Sequence, residues 1–391
     1  MKALIVIDNL YTGGIATSLY NFLNSTASEV EYHLTVFNDN SIDYDKIPAN
    51  VNIVKASNIL HILGKNRHDL KKESKFKYLC KGVLTVICKF TNGRFARRLL
   101  WPFVKKSNEY DLAISYAQDD GWGSLSKGCN DYVLKKVKAR HKATMVHCDY
   151  EHFGGYSPKQ IKDYRKFDSI LCVSESCRKS FVRCFPVLEE VCMTCENFTN
   201  IEHVKELAVP AIEYPHDSVN FVSVCRLGEE KGLERTVDAF KKVKDMGFEN
   251  FTWTVVGGGP VYNNLVKKIT EYGLGAKITL VGNKLNPYTY VKEASVFLLP
   301  SFHEAAPMVF GESAALGVPI LTTQTCSAVE MVEDKGIGVV VDNSEEGIMT
   351  GIKDILSGNI DLSKYSISDE CVNENARNQF EGFISLVKTN L

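Results

Sequence analysis

The feature that most constrains the fold of this chain is a repeated alternation between short apolar runs and segments of helical periodicity. Residues 3–7 form the first apolar run, and residues 15–23 have the spacing of an amphipathic helix. Further runs lie at residues 32–37, 51–54, 110–115, 143–146, 169–174, 221–225, 251–256, 277–282, 296–299, 319–323 and 338–342. Short runs of this kind are typical of strands buried on both faces of a parallel sheet. The pattern therefore predicts an α/β protein.

The alternation occurs as two series separated by residues 201–218, which contain Pro210, Pro215 and several acidic residues. This composition favours a linker between domains. A chain of 391 residues is also long for a single core. We therefore predict two doubly wound, Rossmann-like domains facing across a cleft, over residues 1–205 and 218–370.

The net charge and the cysteine content of the chain bear on its partners and on its redox environment. The formal net charge is −1, so global charge does not indicate a nucleic-acid partner. The 12 cysteines are scattered in apolar contexts, which favours reduced thiols in a cytosolic protein. Cys192 and Cys195 form a lone CxxC pair, which by itself does not predict a metal or redox site.

The sequence shows no targeting or membrane-spanning pattern. The first apolar run is followed directly by Asp8 without a cleavage-like region, so we do not expect a signal peptide. No apolar stretch approaches the roughly 18–20 residues that cross a bilayer. We therefore expect a cytoplasmic protein, at most peripheral on the inner face of the membrane.

Residues 296–319 carry two carboxylates around a predicted helix start. Pro307 suits the first position of a helix, and Gly317 suits the left-handed residue after it. Glu304 then lies in a strand-to-helix loop and Glu312 lies on the helix.

The first turn of this helix is a predicted anion-binding position. Its N–H groups, near Met308 and Val309, lack partners within the helix and favour an anion beside the loop. The alternative is a solvated loop glutamate and a glutamate on a helix face, and the spacing alone favours that alternative.

Arg226 and Lys231 flank one short loop between a predicted strand and a predicted helix. Two cations beside a helix start suit a pyrophosphate. The alternative is a pair of solvated loop cations.

Polar groups also follow strands of the first series. Gly13 and Gly14 precede a predicted helix, where they either let the backbone approach a phosphate or supply a tight turn. The segment lacks the full G-x-G-x-x-G pattern, which weakens a dehydrogenase interpretation. His147, Asp149 and Tyr150 follow another strand, at the edge where open α/β sheets bind ligands.

Residues 65–106 hold thirteen Lys or Arg against two acids, Asp69 and Glu73. Apolar residues recur there at helical spacing: Phe76, Leu79, Cys80, Val83, Leu84, Ile87 and Phe90. Lys77, Lys81 and Lys89 share another face. This pattern predicts either binding to an anionic membrane surface or a helix packed on the sheet with a solvated lysine face.

The spacing of Glu304 and Glu312 resembles the Glu-x7-Glu motif of the family-4 retaining glycosyltransferases, which have the GT-B fold. The Arg226–Lys231 loop, the Gly13–Gly14 loop and the segment around His147 are similar to segments of the same family. One departure is Ala305, where the family usually has glycine, so the loop has less backbone freedom.

The resemblance implies roles for these residues. Glu304 would bind hydroxyls of the donor sugar, Glu312 the nucleotide ribose, and Arg226 with Lys231 the donor diphosphate. His147 would lie in the active site, with Asp149 and Tyr150 on the acceptor side, and the backbone at 283–285 would hold the base. The full predicted donor-binding set is Gly13, Gly14, Arg226, Lys231, Gly257, Asn283, Leu285, Glu304, Ala306, Pro307, Met308, Val309 and Glu312, and the predicted catalytic set is His147, Glu304, Arg226 and Lys231.

The implied reaction is transfer of a sugar from a nucleotide diphosphate sugar, most simply a UDP-sugar, to an acceptor hydroxyl with retained configuration. No cofactor or metal is expected. The acceptor would be a glycan or a lipid-linked saccharide in the synthesis of a bacterial surface polysaccharide or glycolipid, and the final helix, 371–391, would pack back on the first domain. Two alternatives stay open: a sugar-nucleotide epimerase of the same fold, and a non-catalytic nucleotide-sugar-binding protein.

Overall fold

The computed structural model describes residues 1–118, 121, 123–154, 156–366 and 368–391. These residues form two units. The first contains residues 1–198 and 376–391, and the second contains residues 199–375.

The first unit is a parallel sheet with helices between the strands. Its strands are β1 (Lys2–Ile7), β2 (Glu31–Val36), β3 (Asn52–Ile53), β4 (Glu109–Ser115), β5 (Lys138–Val146), β6 (Ser169–Cys172) and β7 (Cys192–Thr194). Its helices are α1 (Gly14–Thr26), α2 (His61–Gly64), α3 (Arg67–Glu73), α4 (Lys75–Phe90), α5 (Gly93–Arg98), α6 (Cys129–Lys136), α7 (Ile161–Tyr164) and α8 (Glu175–Cys184). Within the described residues the strand order is β3-β2-β1-β4-β5-β6-β7.

The second unit repeats this plan. It contains α9 (Ile201–Leu207), β8 (Val219–Val224), α10 (Leu233–Asp245), β9 (Phe251–Val256), α11 (Tyr262–Glu271), β10 (Ile278–Gly282), α12 (Tyr288–Val291), β11 (Val296–Leu299), α13 (Met308–Ala315), β12 (Ile320–Thr323), β13 (Gly338–Val341), α14 (Glu345–Leu356) and α15 (Asp369–Val372). Across the part of the chain that is described, the strand order is β10-β9-β8-β11-β12-β13, with parallel neighbours. Both sheets have the Rossmann-like arrangement that the alternation predicted.

The second sheet is buried on both faces because successive strand residues point to opposite sides. Phe221 packs with α10, α11 and α14 on one face. Its neighbour Val222 packs with α9, α12 and α13 on the other face. This double burial explains why the strands appear in the sequence as continuous apolar runs.

The last helix, α16 (Glu374–Thr389), begins at the end of the second unit, and residues 376–391 belong to the first unit. The centroid of the Phe380 ring lies 5.5 Å from the centroid of the Phe22 ring in an edge-to-face contact. The side-chain oxygen of Gln379 accepts a hydrogen bond from the backbone N–H of Glu196 at 2.8 Å. The end of the chain is therefore packed into the core of the first unit.

The predicted linker at residues 201–218 is only partly irregular. Residues 201–207 form α9, and Val204 on this helix is buried in the core of the second unit. The prolines and acids that suggested a linker lie after this helix, at residues 208–218. The division between the units lies at Phe198 and Thr199, before the predicted end of the first domain at 205.

The helix predicted within residues 65–106 forms as α4, and the structure contradicts the alternative in which all three of its lysines are solvated. Its exposed apolar side chains are Phe76, Leu79, Val83, Val86 and Phe90, at 52–85% exposure. Lys81 instead points inward: its Nζ donates a hydrogen bond to the Lys65 carbonyl at 2.6 Å, and desolvation lowers its pKa to about 8. Lys77 forms an ion pair with Glu73. Lys77 and Lys81 therefore face inward, and Leu84 and Cys88 are buried, whereas Lys89 and the five apolar side chains named above are exposed.

Over the described residues, no helix combines the length and the apolar character needed to cross a membrane.

Candidate active site

Three of the predicted donor-side residues, Arg226, Lys231 and Glu304, lie where the second sheet reverses its strand order. The chain passes from β8 to β9 and β10 on one side, and then to β11, β12 and β13 on the other. Arg226 and Lys231 follow β8, and Glu304 follows its neighbour β11. In open α/β sheets the loops at such a switch point diverge and leave a crevice for a ligand.

Lys231 and Glu304 are in direct contact. Lys231 Nζ lies 2.5 Å from Glu304 Oε1, and both side chains are largely buried, at 19% and 12% exposure. The Ser301 hydroxyl donates to the same carboxylate oxygen at 2.6 Å. Two residues 73 positions apart in the sequence therefore form one charged centre.

A glycine brings the two loops of this centre together. Gly232 has φ 65°, in the left-handed region, and a Cβ at this position would lie 2.3 Å from the Pro300 carbonyl oxygen. Any other residue would push the loop after β8 away from the loop after β11. The contact between Lys231 and Glu304 depends on this close approach.

Arg226, the second predicted phosphate ligand, lies at the surface. Its side chain is 68% exposed and its Nη2 lies 2.5 Å from Glu230 Oε1. Each of the two predicted cations is therefore paired with a carboxylate, Arg226 with Glu230 and Lys231 with Glu304. Sequence reasoning did not assign a role to Glu230, although its position four residues after Arg226 is the signal that could have found it.

Helix α13 starts one residue later than predicted. Pro307 has ψ 122°, which is extended, and it is the N-cap residue rather than the first helical residue. No side-chain cap is present among the described residues at this helix start, so the first-turn N–H groups at Met308 and Val309 keep the donor capacity predicted for them. Gly317 has φ 73°, which confirms the predicted left-handed residue after the helix.

Glu312, on the second turn of α13, has a pKa above that of an ordinary glutamate. Desolvation raises the pKa of Glu312 to about 7, and the Tyr288 hydroxyl donates to its Oε1 at 3.3 Å. Burial and the adjacent carboxylate also raise the pKa of Tyr288, so this hydroxyl stays a neutral donor. Sequence reasoning missed Tyr288.

The loops after β9 and β10 carry three further predicted donor-side residues, Gly257, Asn283 and Leu285. A Cβ on Gly257 would lie 1.9 Å from the Cys225 carbonyl oxygen, and one on Gly258 would lie 2.8 Å from the Asn283 amide nitrogen. The glycines therefore let three loops pack closely, and this structure assigns them a structural role. Leu285 is fully exposed, and Asn283 is also exposed.

Arg235 supports the loop that carries Glu304, and sequence reasoning missed it. Its Nη2 donates to the Pro300 carbonyl at 2.8 Å and to the Asn343 side-chain oxygen at 2.6 Å. Its guanidinium also lies over the Phe302 ring, 3.7 Å from the centroid. The Asn343 amide in turn donates to the Phe302 carbonyl at 3.0 Å. Arg235 and Asn343 thus fix both ends of residues 300–302.

In the first unit, His147 follows β5 directly and is held as a neutral imidazole. Its Nε2 lies 2.9 Å from the Tyr116 carbonyl oxygen, so Nε2 carries the proton and donates. Desolvation lowers the pKa of His147 to about 4. The Gln118 side-chain oxygen accepts from its backbone N–H at 3.1 Å.

Asp149 and Tyr150 have different environments. Burial acts to raise the pKa of Asp149, but hydrogen bonds from Ser180 and His152 outweigh it and leave that pKa below its ordinary value. Tyr150 is fully buried, and its hydroxyl donates to that of Tyr164 at 3.0 Å within a cluster of aromatic rings. Tyr150 therefore has a packing role in the core of the first unit, and its assignment to the acceptor side remains a prediction.

Asp149 also belongs to a group of potential metal ligands with Glu151 and His152, whose ligand atoms lie within 4.8 Å of one another. The Arg183 guanidinium donates to Glu151 at 2.9 Å, and His152 Nδ1 lies 2.7 Å from Asp149. These contacts are those of a hydrogen-bonded surface cluster, and we assign no metal to it.

Gly13 and Gly14 are exposed at the start of α1. Gly13 is extended, with φ 162°, and a Cβ on Gly14 would meet no described atom within 4 Å. Packing of the described residues therefore leaves space beside this helix start.

Comparison with known proteins agrees with the motif and the fold. Residues 205–379 match the family model of the glycosyl transferases of group 1. This match covers somewhat less than half of the chain and shows that its second half is similar to the group 1 glycosyl transferases. A colanic acid biosynthesis glycosyltransferase of Salmonella typhimurium, WcaL, is 28% identical over 202 residues, 49% of this chain and 48% of that protein. An N-acetylgalactosaminyltransferase of Campylobacter jejuni that acts on a diphospho-undecaprenol-linked acceptor is 26% identical over 195 residues, 49% of this chain and 52% of that protein.

The chain spans about half the length of the curated relatives that it matches. Solved structures extend the fold similarity to the whole chain. Anabaena HepE, crystallised with UDP, has a TM-score of 0.59 at 13% identity and covers 98% of this chain and 100% of its own. The two Rossmann-like units are those of the GT-B fold.

Proposed function

We propose that this protein is a retaining glycosyltransferase that moves a sugar from a UDP-sugar to an acceptor hydroxyl in the synthesis of a surface polysaccharide or glycolipid. The observation that carries the proposal is the Lys231–Glu304 centre at the switch point of the second sheet, with Glu312 on the helix that follows. The names of the Salmonella and Campylobacter relatives support this class of acceptor, and the UDP bound to HepE supports uridine as the base.

The proposed mechanism assigns each donor-side group a task. Lys231, Arg226 and the N-terminal end of α13 stabilise the negative charge that develops on the leaving diphosphate. Glu304 accepts hydrogen bonds from hydroxyls of the donor sugar, and Glu312 accepts them from the ribose. Because cationic side chains and backbone N–H groups supply this charge stabilisation, no metal ion is required.

On the acceptor side, His147 and Asp149 at the carboxyl edge of the first sheet are the proposed contacts. The neutral His147 donates from Nε2 to a backbone carbonyl, which leaves its Nδ1 lone pair as an acceptor for a hydroxyl. The ionised Asp149 can accept a second hydroxyl.

The test is turnover of a panel of nucleotide sugars, with and without a lipid-linked saccharide, in the presence and absence of a chelator. We expect release of UDP that increases with the acceptor, an unchanged rate with the chelator, and a product with the anomeric configuration of the donor by NMR. Conversion of the donor to its epimer without release of UDP would identify an epimerase instead. Binding without any turnover would identify a non-catalytic protein.

We also propose that the first unit associates peripherally with an anionic membrane at the cytoplasmic face, where the acceptor is presented. The exposed apolar face of α4 supports this proposal, because an amphipathic helix at a lipid surface buries such a face among acyl chains. Triple replacement of Phe76, Val83 and Phe90 by serine should abolish flotation with vesicles that contain phosphatidylglycerol. Full flotation of this variant would contradict the proposed contact.

A further inference from the structure

A strongly basic groove lies in the first unit, away from the residues discussed above. It has a volume of about 960 Å³, and its lining includes six cations: Arg94, Arg98, Lys135, Lys136, Lys159 and Lys162. The rings of Phe95 and Trp101 also line it. None of the lining residues is acidic.

The groove lies at the amino edge of the first sheet. Lys135 and Lys136 end α6, two residues before β5 begins at Lys138. The segment with Arg94 and Arg98 precedes β4, and Lys162 lies on α7, which precedes β6. In a parallel sheet these positions are at the edge opposite the one where His147 lies. The groove is therefore separate from the proposed acceptor contacts.

Several of the cations keep an uncompensated charge. Arg94 forms an ion pair with Asp163, and Lys135 forms one with Asp131 at 2.7 Å. No carboxylate among the described residues lies within ion-pair distance of Arg98, Lys136 or Lys162. Like charges placed this close repel one another, so an anion in the groove would relieve that repulsion.

Apolar side chains next to the groove point to the source of the anion. Phe95, Leu99 and Phe103, on the same segment as Arg94 and Arg98, are 45–72% exposed. This segment follows directly after α4, whose exposed apolar face ends at Phe90. Exposed apolar residues beside cations are the combination that binds a lipid surface, where the apolar groups enter the acyl region and the cations meet phosphates.

We propose that this groove binds the phosphate of an anionic phospholipid headgroup in the membrane. This inference rests on the proposed membrane contact and specifies its headgroup site. It differs from the lysine face suggested by the sequence, because Lys77 and Lys81 are engaged within the protein.

The experiment compares vesicle flotation of the full chain and of the triple variant Arg98→Glu, Lys136→Glu and Lys162→Glu. The control variant is Lys55→Glu, Lys179→Glu and Lys267→Glu, three exposed lysines outside the groove with the same total change of charge. The vesicles contain phosphatidylcholine alone or phosphatidylcholine with phosphatidylglycerol. Circular dichroism and thermal melting report on the folding of each variant, and UDP affinity, measured by calorimetry, reports on the donor site of the second unit.

We expect the groove variant to lose more than about a hundredfold in partition to the phosphatidylglycerol vesicles, since loss of each cation accounts for about fivefold and each introduced glutamate adds repulsion. The control variant should retain most of its binding, and all three proteins should bind UDP equally. Equal partition of the groove and control variants would overturn the headgroup site but leave the membrane contact standing. Failure of the unmodified chain to bind these vesicles would overturn both.

Two further binding measurements test whether the anion bound in the groove belongs to a lipid headgroup. Inorganic phosphate that binds to the groove in calorimetry, with no binding to vesicles, would show a site for a free anion instead. Binding of a single-stranded RNA that the groove variant loses, again without vesicle binding, would show a nucleic-acid surface. Either result contradicts the proposal.

Discussion

Both cations of the candidate donor site are paired with carboxylates of the protein itself. Lys231 is paired with Glu304, and Arg226 with Glu230. A diphosphate would therefore share each cation with a carboxylate, which limits the net attraction but keeps the long side chains in place. The pair of Lys231 and Glu304 is the better ordered of the two, because it is largely buried whereas Arg226 is exposed.

Replacement of Lys231 by alanine should weaken binding of UDP by about 1.5–3 kcal/mol, the usual effect of losing a charge-assisted contact. Lys267→Ala is the matched control, because Lys267 is 76% exposed and lies on α11 of the same unit. Isothermal calorimetry measures both. If both variants bind UDP as the unmodified protein does, Lys231 is not a phosphate ligand.

The raised pKa of Glu312 predicts that UDP affinity depends on pH. Below about pH 7 the carboxyl is mainly protonated, and above it the ionised form accepts the ribose hydroxyls more strongly. Affinity should therefore increase by up to about tenfold between pH 6 and pH 8.

The phosphates of UDP also titrate in this range, so the Glu312→Gln variant is the reference. The ratio of the two affinities at each pH isolates the carboxylate. A ratio that stays constant from pH 6 to pH 8 would rule out ribose binding by an ionised Glu312.

Several of these residues could be predicted from the sequence and others could not. Glu304, Glu312, Arg226 and Lys231 were predicted because each lies at a set distance from a strand end or a helix start. Tyr288 and Arg235 were missed because their partners are distant in the sequence and no local pattern marks the contact. The burial of Tyr150 could not be predicted, because a position just past a strand does not determine which side the side chain faces.

At the scale of elements, the conformation of the loop between β11 and α13 is the feature that could be predicted least well from the sequence. Its ends are a strand and a helix, but its conformation depends on Arg235 of α10 and Asn343, which follows β13. Arg235 is a positioning residue: it contacts Pro300 and Phe302, and through them it fixes the loop that carries Glu304.

Replacement of Arg235 by lysine should lower kcat roughly tenfold and leave UDP affinity within about twofold. Lysine cannot form the forked hydrogen bonds or stack on Phe302, so the loop loses its fixed position. UDP lacks the sugar that Glu304 is proposed to bind, and its affinity should change little. Steady-state kinetics and calorimetry on the same preparation measure the two effects. Parallel loss of kcat and of UDP affinity would mean that Arg235 supports the whole unit rather than this loop.

Helix α4 shows a second limit of the sequence pattern. Its periodicity correctly predicted an amphipathic helix, but periodicity does not state which face meets the protein. The Lys65 carbonyl that accepts from Lys81 lies between α2 and α3, and Glu73, which pairs with Lys77, is the last residue of α3. These tertiary partners turn two of the three lysines toward the protein, and Lys89 stays exposed.

At the scale of the whole molecule, the two units differ in how much of their sequence matches the family. The match to the group 1 family begins at residue 205 and includes nearly all of the second unit. The first unit lies largely outside it, although its sheet has the same order of strands. The proposed function accounts for this difference, because enzymes that share a type of donor and differ in their acceptors need to keep only the donor site the same.

The most direct test of the proposed donor site is a comparison of UDP and UDP-sugar affinities in the Glu304→Gln variant by calorimetry. Glutamine keeps the shape of the side chain but removes the charge that pairs with Lys231. The account predicts that UDP affinity stays the same or increases, since Lys231 is released, whereas the additional affinity contributed by the sugar and the turnover are lost. A variant that loses UDP affinity and keeps the contribution of the sugar would contradict the account.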